Sequence, residues 1–548
     1  MSSFNFELQQ LPQITVGVEI EFLLAYLYLD ENDPDEVSKN QLPPVLRLPR
    51  SLDDDEWDNG GDDQKRAEEA IWDLLDANGF PVKDPKVADP VNPGNNMQSP
   101  EDLSNERLRD YQVYRVIYDS SLEVPERRGF RYAKIEITTP VQEDADGTYE
   151  ALANLIKLLS SSYRTVVNPS CGLHVHVGNS RAEYMPLASV KRLSALLWAA
   201  DPLLATLHPP RRRWNQNCQS IRERSSLATG EDYVHEHDRG LHDDDKYSTW
   251  DCVRYTGADV RFGEQSTLWR ECNKSLETIA AFEHTRRPGC FEPFVGDEAF
   301  SGYDSGFEGE GDDDPYALAD ELYSKDSQAW KNFAIDAKFD HAVVHQQKRQ
   351  QMNLEEDRQP RPHFGRTRKL PRLCLPKPTQ EQISRYEDEI AEYGGTNLLH
   401  GRAEQDLGVY PGVAQIFEAI SSCEIHTLLS TGTRPNYNFT AYRCSNMGYP
   451  ATEAKRTVEW REAEGSLDPA WVATWCRIAV GLSKFAIHSS VSEFLQALDL
   501  CDRAKKQDGE YDVIDLLDFV GLFAEAEQVE QRMREFADKW ELKYVGEP

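Results

Sequence analysis

The residues best suited to chemistry fall in four short segments. In Cys171-Gly-Leu-His-Val-His-Val-Gly178, a strand would set Leu173, Val175 and Val177 on one face and His174 and His176 on the other, about 7 Å apart. Ile14 to Phe22 alternates strictly: Ile14, Val16, Val18, Ile20 and Phe22 share one face, and Thr15, Gly17, Glu19 and Glu21 the other. Ile135 and Ile137 oppose Lys134, Glu136 and Thr138, and Pro140 ends that segment. Val458 and Trp460 oppose Thr457, Glu459 and Arg461. Taken singly, a His-x-His pair also reads as two half-exposed strand residues, and a Glu-x-Glu pair as an acidic strand edge. Taken together in one sheet, with the apolar faces against helices, the opposite faces converge on a cavity. That cavity holds Glu19, Glu21, Glu136, Glu459, His174, His176 and Arg461. Its four carboxylates repel one another unless divalent cations neutralise them. Carboxylates with few imidazoles and no thiolate suit Mg²⁺ or Mn²⁺ better than a structural zinc. Arg461 in such a place wants an anion, which a nucleotide phosphate bridged by the metals would supply.

The elements that must hold these strands are legible as helices between them. Tyr149, Leu152, Leu155, Ile156 and Leu159 keep helical spacing, as do Val190, Leu193, Leu196, Leu197 and Ala200, a helix expected to end near Asp201-Pro202. Asp468-Pro469 opens a long helix to about residue 488, and the rest is helical with apolar Val491, Phe494, Leu495 and Leu498. Tyr437 to Tyr442 alternates like a further strand. Residues 30–110 are Pro-, Asn- and Asp-rich and read as an insertion carrying one helix, marked by Ala67, Ala70, Ile71, Leu74 and Leu75 and stopped by Gly79. Residues 231–395 read as a second insertion, Gly- and Asp-rich and then basic and Pro-rich, with a short helix near 380–392. His235, His237 and His242 fall there with no element to hold them, so they read as incidental loop histidines. The basic run Arg211 to Arg224 reads either as a turn and counter-charge or as a clamp for phosphate or carboxylate. The expected fold is α+β: a mainly antiparallel sheet backed by helices, one domain over 12–490 broken by the two insertions, and a helical extension over 491–548.

Composition narrows the function classes. The 548 residues are enough for a sizeable core. Lys plus Arg number 60 against 95 Asp plus Glu, a formal charge of −35, which argues against nucleic acid or an anionic membrane as partner. Ten cysteines without a C-x-x-C pair read as reduced, mostly buried thiols. With no leader-like segment at Met1 to Gln10 and no window of eighteen apolar residues, the expectation is a cytoplasmic protein. There is no G-x-x-x-x-G-K-[ST], and Gly306-Phe-Glu-Gly-Glu-Gly311 is too acidic to cradle phosphate.

Gly17-Val-Glu-Ile-Glu21, Lys134-Ile-Glu-Ile-Thr-Thr-Pro140, Gly172-Leu-His-Val-His176 and Val458-Glu-Trp-Arg461 with Gly465-Ser-Leu-Asp468 resemble, in that order, the putative amidoligase family. That family is related to glutamine synthetase and glutamate-cysteine ligase. The likeness covers about 12–30, 111–225 and 411–490. It implies a curved antiparallel sheet of the glutamine synthetase type and an ATP- and Mg²⁺-dependent carboxylate-amine ligase. Such an enzyme forms an amide through an acyl phosphate, here with an amino acid or peptide as substrate. By that pattern Glu19, Glu21, Glu136, His174 and Glu459 are metal ligands, and His176 contacts nucleotide phosphate. Arg461 clamps phosphate or acyl phosphate; Arg213 and Asn438 lie near nucleotide or substrate. Related sequences often carry a His two residues after the motif's Arg, where this chain has Ala463 between Glu462 and Glu464.

Three other readings use the same residues. A metal-dependent hydrolase would activate water on the Glu/His cluster without ATP. A thiol enzyme would pair Cys171 with His174, but alternation puts Cys171 on the Leu173 face. An inactive homologue would serve as an acidic binding protein. Oligomerisation stays open.

Overall fold

The computed structural model describes residues 13–35, 42–50, 61–82, 112–125, 129–179, 185–230, 368–375, 378–393, 402–403, 406–419, 422–442, 457–504 and 511–545. Residues 231–367, with His235, His237, His242 and the 306–311 loop, lie outside them.

Among the described residues the strands form one open, mainly antiparallel sheet with helices packed against it, an α+β architecture. Its path runs β3 (Arg115–Tyr118), β4 (Arg131–Thr138), β1 (Ile14–Tyr28), β7 (Gly172–Asn179), β9 (Thr457–Glu464), β8 (Tyr437–Asn438). Three short strands also pair with β1: β2 (Leu46–Leu48, parallel), β5 (Gln142–Glu143) and β6 (Thr165–Val166). The two longest neighbours of β1 are thus β4 and β7, the strands that carry Glu136 and the His-x-His pair.

Period-two patterning decides which face is buried. Every even residue of β1 from Ile14 to Tyr28 enters the main core, with Ile135 and Ile137 of β4, Leu173, Val175 and Val177 of β7, and Val458 and Trp460 of β9. The helices α2 (Asp146–Ser162) and α3 (Leu187–Leu204) supply the facing layer through the apolar positions read from the sequence, and α7 (Pro469–His488) adds Val472, Trp475, Ile478 and Leu482. From residue 23 onward the odd face of β1 is apolar too. Leu23, Ala25 and Leu27 form a second cluster with Val45, Leu122, Tyr132 and Cys171. The polar stretch of that face is therefore confined to residues 15–21.

Two elements of the 30–110 segment join the sheet layer: β2, and α1 (Gly61–Ala77), which buries Ala67, Ile71 and Leu75 and stops before Gly79 at φ +80°. From the 368–393 stretch, α4 (Gln380–Ala391) starts in a capping box between Thr379 and Gln382 and packs Tyr386 and Ile390 on Trp214. The remaining helices of eight residues or more among the described residues are α5 (Val409–Glu418), α6 (Ser422–Leu429), α8 (Val491–Ala504), α9 (Val513–Val520) and α10 (Phe523–Phe536); Phe494, Leu517 and Met533 from the last three belong to the main core. One described helix, α7, has the length and hydropathy to cross a membrane, and 78% of that window is buried inside the protein.

Three expectations need correction. The α3 helix runs through Pro202 to Leu204. Pro202 cannot donate to the Trp198 carbonyl, and Arg222 Nη1 donates to it instead at 2.9 Å, which satisfies the group the proline leaves open. The strand expected over 437–442 is only two residues long, because the Asn438 side chain accepts from Thr440 N at 2.9 Å and winds the chain into a 3₁₀ turn. Cys171 does not share the Leu173 face. It precedes the strand, in a turn closed by its N–H on Asn168 O, and packs in the second cluster.

Candidate active site

Register brings the polar faces together. Across the sheet Glu19 stands opposite Thr138 of β4 and His174 of β7, Glu21 opposite Glu136, and His176 opposite both Gly17 and Glu459. Since same-face residues repeat every second position, Glu19, Glu21, Glu136, His174, His176 and Glu459 all face one way.

Two sets of ligand-type atoms lie side by side there. Glu19, His176 and Glu459 each bring one such atom to within 4.8 Å of the others; Glu21, Asp119 and Glu136 form the second set. His174 stands among the carboxylates: its Nδ1 lies 3.1 Å from Glu19, 3.4 Å from Glu21 and 3.7 Å from Glu459. His176 Nδ1 is 3.0 Å from the Thr457 hydroxyl, which fixes the ring. Its Nε2 is 3.0 Å from Glu19 Oε1, yet it is buried and makes no hydrogen bond. A buried imidazole nitrogen turned to carboxylates and left without a hydrogen bond is what a metal ligand looks like in a metal-free structure. The donor set, carboxylates with one or two imidazoles, fits Mg²⁺ or Mn²⁺.

The second ring of contacts orients these groups. Gly172 N donates to Glu21 Oε2 at 2.6 Å, and Asn438 Nδ2 donates to Glu459 Oε2 at 2.8 Å. Arg461 donates through Nη1 to Glu459 Oε1 and through Nε to Asn217 O at 3.1 Å. A Cβ on Gly172 would stand 2.3 Å from His174 Nε2 and 3.2 Å from Arg212 Nη2, so glycine here lets the His174 ring keep its place. Burial raises the pKa of Glu21, with His174 and Arg461 acting against it. Burial also pushes Glu459 up, but Arg461 and His176 outweigh it and hold that carboxyl at about 2. Burial works against the charge of Arg461, and Glu459 and Glu21 raise its pKa above the usual guanidinium value. Cys171 is fully buried and its thiol pushed up to about 12 by burial, so it is no nucleophile.

The β9 strand reaches this geometry by a bulge. Val175 pairs with Trp460 and Leu173 with Ala463, so three residues of β9 match two of β7. Plain alternation would set Ala463 beside Arg461. The extra residue instead returns Ala463 to the core, fully buried, so the family-atypical residue lies away from the carboxylates. Glu462 enters a separate buried network. Asn436 Nδ2 donates to Asp201 Oδ1 and to Glu462 Oε2, and Ser220 donates to Asp201 Oδ2 at 2.6 Å.

Not all the expected residues meet. Glu19, Glu21, Glu136, His174, His176, Glu459, Arg461 and Asn438 come together. Arg213 pairs with Glu223 at 2.9 Å and approaches Asp201 at 3.9 Å. Its neighbours Arg211 and Arg212 go to Glu464 at 2.5 Å and to Arg461 O at 3.0 Å. The basic run is thus a counter-charge and scaffold around the site. Asp119, just past β3, went unread; its sole cue was an acid directly after the short run Arg115 to Tyr118.

Residues 12–231 match the family described as Putative amidoligase enzyme, and so bear out over that span the resemblance carried by the first three motifs. The fourth, Val458 to Arg461, lies beyond the match and reaches the same site through β9. No curated protein and no solved structure matches the chain.

Proposed function

We propose that this protein is an ATP- and Mg²⁺-dependent carboxylate-amine ligase of the glutamine synthetase type, which forms an amide through an acyl phosphate on an amino acid or peptide. The observation that carries this reading is the pair of adjacent ligand sets, Glu19/His176/Glu459 and Glu21/Asp119/Glu136, with Arg461 beside them. An arginine next to two carboxylate-rich metal sites suits a reaction in which a phosphoryl group passes between anions.

In this reading each set holds one divalent ion, which supplies Lewis acidity and screens phosphate charge. The histidine roles implied by the resemblance change places: His176 Nε2 is the ligand atom, and His174 Nδ1 holds Glu19, Glu21 and Glu459 in place. Glu459, held below the usual carboxyl pKa by Arg461 and His176 against its burial, pins Arg461 Nη1. Arg461 Nη2 makes no hydrogen bond among the described residues, and it is the donor for a phosphate or acyl-phosphate oxygen. Asn438 holds the second oxygen of Glu459.

The test is release of phosphate from Mg-ATP with amino acids and peptides supplied as acid and amine. Release that needs both, and that falls in Glu19→Gln and His174→Ala, supports a ligase. Amide or phosphoester cleavage without nucleotide would instead make the protein a metal-dependent hydrolase. Release indifferent to both substitutions rules out this site.

A further inference from the structure

A cleft of about 540 Å³, counting its open mouth, adjoins the site and is used by none of the residues assigned above. Its walls are Ser121 and Glu123 from the turn after β3, Pro169 and Ser170 before β7, Asn215 to Asn217, and Ile390 and Tyr393 at the end of α4. Three of these walls run directly into the site. Ser121 N donates to Asp119 Oδ1 at 2.7 Å; Ser170 is two residues from Gly172, which donates to Glu21; and Asn217 O holds Arg461 Nε. The cleft therefore shares its walls with the residues that hold the second ligand set and the arginine.

The lining specifies the chemistry. Glu123 is its one charged residue, and there is no cation. Among the described residues the Glu123 carboxylate forms no ion pair or hydrogen bond; only its backbone is used, by Ser170 Oγ and Asn168 Nδ2. The Asn217 carboxamide is likewise without a partner there, whereas that of Asn215 is consumed by Pro169 O and Asn217 N. Ile390, buried, and Tyr393 give one apolar side. A half-buried carboxylate and a carboxamide, both unpaired, in one cleft with an apolar wall match a small primary ammonium compound with a hydrocarbon body. An anion there would face Glu123 with no compensating positive charge in the lining.

We infer that this cleft binds the amine substrate as its ammonium form, with Glu123 as the charge partner, Asn217 as the second polar contact and Ile390 and Tyr393 against the carbon chain. The inference rests on the ligase reading for the word substrate; the cation-binding cleft itself does not.

Saturation-transfer NMR on the full chain with n-pentylamine, and with 1-pentanol as its uncharged counterpart, tests it. The expected result at pH 7 is saturable pentylamine binding, no pentanol signal, and roughly tenfold or greater weakening in Glu123→Gln, as for loss of a charged hydrogen bond. Glu123→Lys should abolish binding, with an unchanged circular dichroism spectrum showing that the variant folds. Pentanol binding as strong as pentylamine, a Glu123→Gln protein indistinguishable from the parent, or no amine binding at all would each overturn the inference. Mg-ATP titrated into the same samples separates the two readings: amine binding without nucleotide binding removes the ligase assignment and upholds the cleft. Nucleotide binding without amine binding does the reverse.

Discussion

At the scale of single residues, Glu19 is the most exposed to test, because one carboxylate lies 3.1 Å from His174 Nδ1 and 3.0 Å from His176 Nε2. Glu19→Gln keeps the shape but removes the charge a metal needs. Mn²⁺ affinity should fall about 10- to 100-fold and turnover by at least a similar factor, as read by metal titration and by phosphate release. Gly172→Ala is the complementary case. Its Cβ would sit 2.3 Å from His174 Nε2, so the ring must move; stability should drop by roughly 1–3 kcal/mol, and Mn²⁺ affinity should fall with it. Denaturant melts and the same metal titration check both effects. The residues legible in the sequence were those on strands with a strict period of two, since alternation alone tells which face a side chain takes. Asp119 was not legible because it lies just past a strand, where no period constrains direction. Arg213 pairs with Glu223 outside the carboxylate cluster, and a dense basic run does not tell which of its members turns inward.

At the scale of elements, the decisive feature is the β9 bulge and the buried network it feeds. Four alternating strands were readable, and so was their convergence, but a bulge inserts one residue without a compositional mark. Plain alternation would therefore carry Ala463 onto the Arg461 face, although it packs in the core. Its neighbour Glu462 is held between Asn436, Asp201 and Tyr437, with Arg213 and Cys218 nearby. Burial, and then Asp201, push Glu462 up to about 8; burial raises Asp201 as well. The folded protein thus keeps a proton that the unfolded chain releases near the ordinary carboxyl pKa. Between that value and pH 8 the native state binds more protons, so stability falls as pH rises. Thermal melts should show a loss of stability from about pH 5 to pH 8. Glu462→Gln, neutral at every pH, should flatten that slope and melt higher than the parent at pH 8, by an amount on the order of a few kcal/mol at most. An unchanged slope would mean that Arg213 already balances the pair. The same network bears on the site: Asn436 O accepts from Arg461 N at 2.7 Å, which ties the network to the β9 backbone that carries the guanidinium.

At the scale of the whole molecule, the charge of −35 and the buried carboxylates make opposite demands on a cation, and that difference separates specific from general binding. General screening of the surface charge acts through ionic strength and is the same for any salt. Neutralisation of Glu19, Glu21 and Glu459, each largely removed from water, needs an ion inside the cavity and acts by mass action on the folded state alone. An ion at a hundred times its dissociation constant adds about 2.7 kcal/mol. Mg²⁺ or Mn²⁺ should therefore raise the melting temperature by several degrees beyond NaCl of equal ionic strength, and EDTA should reverse it. Glu21→Gln sharpens the test, because an amide oxygen can still accept from Gly172 N while the buried charge is gone. Without metal the variant should melt at or above the parent, since a charge that burial disfavours has been removed. With metal it should gain less than the parent, while NaCl moves both alike. A variant that gains as much from Mn²⁺ as the parent would place the ion elsewhere on this acidic molecule and leave the two ligand sets as a hydrogen-bonded polar core.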